Sequence, residues 1–62
     1  MFIEVLLENG SVSTFNINNI SRITKLKDGC FVTFINTDAV KTKTTYEDLL
    51  IKISEASNES NR

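Results

Sequence analysis

The chain has 62 residues, with seven Lys or Arg against eight Asp or Glu, and it contains no His, Pro or Trp. That length allows one small domain. A domain of about 60 residues buries only about 60% of the surface its unfolded chain exposes, so a partner subunit is an expected source of further burial.

Phe2 to Glu8 alternates in a way that predicts a first strand, with Ile3, Val5 and Leu7 on one face and Phe2, Glu4, Leu6 and Glu8 on the other. Asn9-Gly10 follows and signals a tight hairpin, since both residue types accept positive φ. Ser11 to Ile17 is the return strand, expected to set Phe15 and Ile17 on the core beside Ile3 and Val5. Asn18-Asn19 predicts a turn or bulge. A third strand, Ile20 to Lys25, leads into a second hairpin with Asp28-Gly29 as its turn. Cys30 to Ile35 is apolar on both faces, the pattern of a central strand, so Phe31 and Phe34 are both expected in contact with apolar surroundings. Asn36-Thr37-Asp38 makes a third turn, and Ala39 to Lys43 a fifth strand whose Lys41 and Lys43 guard an edge.

A helix is predicted from Thr44 or Thr45, where Thr44-x-x-Glu47 and Thr45-x-x-Asp48 both match a capping box. Tyr46, Leu49, Leu50 and Ile53 recur at helical spacing, with Ala56 at the margin and Ile51 nearly opposite. Residues 57–62 have nothing to bury and read as a disordered polar tail. The expected fold is therefore β-rich α+β. One domain over residues 1–56 holds a five-stranded antiparallel meander, curled or barrel-like, with a C-terminal helix packed on it.

The chemistry-bearing residue types are sparse. Without His the usual proton shuttle near neutral pH is missing, and no Ser/His/Asp or Cys/His arrangement can be built. One Cys without His leaves no zinc cluster, and two isolated glycines make no phosphate cradle. A non-enzymatic protein needing no cofactor or metal is expected. No apolar run approaches the roughly 18 residues of a membrane span, and no basic n-region opens the chain. The lone Cys30 reads as a small buried hydrophobe in a reducing cytoplasm.

Two surfaces qualify for function. Phe2 and Leu6 lie on the first-strand face away from Ile3 and Val5, and Ile51 lies off the helix stripe; these three are the expected dimer or partner contacts. Arg22, Lys25, Lys41 and Lys43 form a candidate basic strip in an otherwise acidic chain. Solvated lysines on exposed strand positions are the favoured explanation of the strip. Arg22 and Lys25 project to opposite faces of a regular strand, so nucleic-acid binding is not expected.

The spacing of Asn16, Ile20 and Ile23, the strand pattern of Phe31, Thr33, Phe34 and Asn36, and the Thr-capped helix ending near Ile53 together resemble the FlbD/SwrD-type small flagellar proteins over roughly residues 2–53. This chain has Asn36-Thr37-Asp38 where those proteins typically have an Asn-Gly turn. The resemblance implies a non-enzymatic accessory of flagellar motility. The order of elements is also similar to CsrA-type translational regulators, which form interlocked dimers. Their RNA-binding arginines are not matched here, where the first strand reads Glu4-Val5-Leu6-Leu7-Glu8 and the helix starts Thr44-Thr45-Tyr46. The expected function is a small protein-interaction module, a homodimer docking on a larger protein complex, either as a flagellar accessory or as a phage-type modulator of a host complex. The alternative is a small RNA- or DNA-binding regulator of CsrA-like architecture.

Overall fold

The computed structural model describes residues 1–60, of which 58–60 are described through the backbone alone. Its elements are β1 (Phe2–Leu6), β2 (Val12–Asn16), a short 3-10 helix (Ile17–Asn19), β3 (Ile20–Leu26), β4 (Gly29–Phe34), β5 (Ala39–Thr42) and α1 (Tyr46–Ser60). The β-rich class with one C-terminal helix is as the alternation and capping signals predict. The strands divide into two antiparallel sheets, β1-β2 and β3-β4-β5, which are not closed into a barrel. They meet along a short seam. Leu7 bridges Thr42, the Lys43 N–H donates to the Leu6 carbonyl at 2.9 Å, and the Leu6 N–H donates to Thr44 Oγ1 at 3.2 Å.

The core lies between the sheets and under the helix. Ile3, Val5, Phe15, Cys30, Val32 and Leu49 are buried, with Leu7, Ile20, Ile23, Phe34 and Val40 packed against them. Phe15 and Phe34 meet edge to face at 5.1 Å and tie the two sheets together. The pairing of β3 with β4 shifts register between Ile20 and Arg22. That bulge turns Ile20 and Ile23, three positions apart, onto the same inner side.

The turns differ in detail from the expected ones. In the first hairpin the Gly10 N–H donates to the Leu7 carbonyl and the Leu7 N–H to the Ser11 carbonyl, and only Gly10 has positive φ, at 89°. The Asn9 side chain instead accepts from the Ser11 N–H and hydroxyl. The second hairpin turns on Lys27 and Asp28, one residue earlier than Asp28-Gly29, because Gly29 is already paired with Leu26. Gly29 has φ 146°, and a Cβ there would collide with the Thr42 carbonyl, so the strand can pass β5 only as glycine. The third turn repeats the first. The Thr37 N–H donates to the Phe34 carbonyl, the Phe34 N–H to the Asp38 carbonyl, and Thr37 takes φ 73° where the first hairpin has Gly10.

Thr45 caps the helix, its Oγ1 accepting from the Asp48 N–H at 3.1 Å. Leu49 is fully buried, and Tyr46, Ile53 and Ala56 are half-buried beside it. Leu50, expected on the stripe, is 42% exposed. At about 100° per residue, a helix centred on Leu49 rotates Leu50 to its margin. The helix runs to Ser60, so it continues into the stretch expected as tail; residues 61–62 lie outside the described residues.

Candidate functional site

The sheet registers create two outward surfaces. On the β1-β2 hairpin, Phe2, Glu4 and Leu6 stand opposite Asn16, Thr14 and Val12, all on the face away from the core. Phe2 is 66% exposed, Val12 63% and Leu6 41%. Leu6 and Val12 are direct cross-strand partners, which makes a small apolar patch with Glu4 in its middle. Phe2 and Leu6 were expected here. Val12 was missed, although a hairpin closing at Gly10 sets it opposite Leu6. Ile51 is 55% exposed on α1. It stands apart from the shallow groove between β1 and α1, which is lined by Phe2, Ile3, Glu4, Lys52, Glu55 and Ala56.

The second surface is the outside of β3-β4-β5. Thr24, Phe31 and Lys41 align across the three strands, and Arg22, Thr33 and Ala39 form the next row. Lys43 lies just past the end of β5, where its N–H donates to the Leu6 carbonyl. Phe31 is 38% exposed rather than enclosed. No described element packs over this side of β4, whereas Cys30, Val32 and Phe34 on its other side meet the core. Two of the four strip cations, Arg22 and Lys41, therefore share one face with an exposed ring. Lys25 is on the opposite side. It pairs with Cys30 in the ladder, and its Nζ lies 2.8 Å from Glu47 Oε2.

That ion pair links β3 to the first turn of α1. The hydrogen bond from Lys25, with a backbone N–H behind it, holds the Glu47 carboxyl below its ordinary value. The same hydrogen bond, then the Glu47 charge, raises Lys25. Lys41 Nζ lies 3.6 Å from Glu8 Oε2, where the two surfaces adjoin. Cys30 is fully buried, with Sγ 3.3 Å from Thr42 Oγ1 and 3.4 Å from the Thr44 carbonyl. Thr42 Oγ1 donates to that carbonyl at 3.0 Å, so the thiol belongs to the packing that seats the helix start. Among the described residues no group of three or more His, Cys, Asp or Glu is placed to hold a metal ion. No described helix is long and apolar enough to cross a membrane.

No protein-family model, no curated protein and no solved structure matches this chain.

Proposed function

We propose that this protein is a small non-enzymatic interaction module that docks through the outer face of the β1-β2 hairpin, as a homodimer or on a larger protein complex. The observation that carries the reading is the exposure of Phe2, Leu6 and Val12 on one side of a two-stranded sheet. Three large apolar side chains held together by strand register, with Glu4, Thr14 and Asn16 between them, form a patch that gains by being covered. A reducing cytoplasm suits the single, buried thiol. Service as a flagellar accessory, or as a modulator of a host complex, needs no more than such a surface.

The nucleic-acid reading has one observation in its favour, the placement of Arg22 and Lys41 on the same face as Phe31. A ring among cations is the arrangement on which unpaired bases stack. Lys41 is already partnered by Glu8, and Lys25 is held on the other side. Few cations are therefore left to neutralise phosphates, and phosphate neutralisation supplies most of the affinity in such binding.

Site-specific photocrosslinking in cells separates the two readings. A photoreactive residue replacing Phe2 should yield protein adducts, a second copy included, that a probe at Thr24 does not give. Equal adduct patterns at the two positions would sink the docking reading. Oligonucleotide adducts from a probe at Phe31 would favour the other one.

A further inference from the structure

Of the four edge strands, β1 and β5 meet at the short seam around Leu7 and Thr42, and β2 and β3 have no strand beside their outer edges among the described residues. The β3 edge is defended. It carries Arg22 and Lys25 and is bent by the register irregularity at Ile20/Arg22, both devices that block edge pairing. The β2 edge has neither. Its sequence, Val-Ser-Thr-Phe-Asn, contains no charged residue and no glycine or proline, and it pairs with β1 without irregularity. The bonds flanking the hairpin set the phase of the ladder. The Leu7 N–H donates to Ser11 at 2.8 Å and the Ile17 N–H to Met1 at 2.9 Å, so the odd-numbered residues of β2 exchange main-chain bonds with β1. The main-chain N–H and C=O of Val12 and Thr14 point the other way, to the open edge, and both residues are exposed.

From this we propose that β2 is the seam of a homodimer. It pairs antiparallel with β2 of a second copy about a two-fold axis beside Thr14, giving one four-stranded sheet in the order β1-β2-β2-β1. The proposal rests on the interaction-module reading above and specifies its partner. A second copy fits because antiparallel pairing of a strand with itself is self-complementary and closes after two subunits. Charge fits as well. The only charged side chains before Arg22 are Glu4 and Glu8, and neither is on β2. Across the seam the row reads Glu4, Thr14, Thr14, Glu4. With strands about 4.8 Å apart the carboxylates stay about 14 Å from each other, beyond the screening length of about 8 Å at physiological salt. Val12 falls next to the seam and extends the apolar patch across it.

Sedimentation and amide hydrogen exchange on the full chain, over a dilution series, test this. The expected result is a dimer at tens of micromolar in which the Val12 and Thr14 amides exchange at least tenfold more slowly than in the diluted monomer. Ser13 and Phe15, already bonded to β1, should change little. Thr14→Lys, which puts a guard on the edge, should give a monomer with unchanged helical circular dichroism. A wild type that stays monomeric throughout overturns the proposal and leaves the docking reading to its crosslinks. A dimer that leaves the Val12 and Thr14 amides unprotected also overturns it. Dissociation by Phe2→Asp rather than by Thr14→Lys would then show face-to-face packing, and the docking reading would survive without the edge.

Discussion

Two turns of the same geometry carry different residues at the same left-handed position, and the difference can be measured as stability. Gly10 and Thr37 both close a hairpin by donating to the carbonyl three residues back, at φ 89° and 73°. Glycine meets no steric penalty there. A β-branched residue at positive φ is strained by about 1–3 kcal/mol. Thr37 is exposed and its side chain makes no hydrogen bond among the described residues, so Thr37→Gly removes strain without removing a contact. Glycine's greater freedom in the unfolded chain returns about 0.5–1 kcal/mol of that gain. The net expectation is a stabilisation of about 0.5–2 kcal/mol, against a total of about 3–9 kcal/mol for a domain of this length. Gly10→Thr is the reciprocal experiment. A Cβ at Gly10 has no heavy atom within 4 Å, so its cost reports the backbone conformation alone. Urea unfolding followed by circular dichroism reads both variants, with midpoint shifts of about 0.5–2 M in opposite directions at a typical slope of about 1 kcal/mol per molar urea. If Thr37→Gly left the midpoint unchanged or lowered it, the left-handed turn would not be the source of strain.

The helix offers a second test, because Leu49→Ala should cost about 2–5 kcal/mol as a fully buried leucine, whereas the half-exposed Leu50→Ala should stay below about 1 kcal/mol; the reverse order would place the wrong face of α1 on the core. Gly29→Ala should be severely destabilising, by about 2–4 kcal/mol or more, since it combines positive φ with a collision against the Thr42 main chain; a melting temperature equal to wild type would refute that close approach. The Glu47 carboxyl, followed by NMR, should titrate below its ordinary value of 4.5 and return toward it in Lys25→Met. Because the folded value is the depressed one, the contact's contribution is complete above the ordinary carboxylate value and is lost as pH falls through the folded value. A Glu47 titration unmoved by Lys25→Met would show that the pair does not persist in solution.

Local signals carried most of the fold. Alternation in β1, the two-sided apolar run of β4, glycine at the two hairpins and the Thr45-x-x-Asp48 cap each rest on residues close together in sequence, and each strand, hairpin and helix start formed within a residue or two of its signal. What local signals could not show was which strands become neighbours. The seam between β1 and β5 depends on Thr42 and Thr44 meeting Leu6 and Leu7, and nothing in either segment announces the other. Leu50 shared the periodicity of Leu49, but rotation about the helix axis is fixed by the sheets beneath it. Phe31 looked buried because β4 carries apolar residues on both faces; its exposure follows because no described element forms a second layer over that side of the sheet. The candidate surface was half legible. Phe2 and Leu6 follow from alternation in one strand, whereas Val12 joins them only through the hairpin register.

The seam has a kinetic consequence. Each hairpin joins near neighbours, but the bond from Leu6 to Thr44 spans 38 positions. Closing a loop of that size costs about 3 kcal/mol of chain entropy before any contact is returned. The β1-β2 hairpin and the β3-β4-β5 sheet are thus units that form early and dock late, with the 3-10 helix at Ile17–Asn19 as the joint between them. At high concentration the β5 edge of one chain is equally available to the N-terminal hairpin of another. Refolding from concentrated solution should therefore yield exchanged dimers, joined through the Leu7–Thr42 bridge, that dilution alone does not promptly separate.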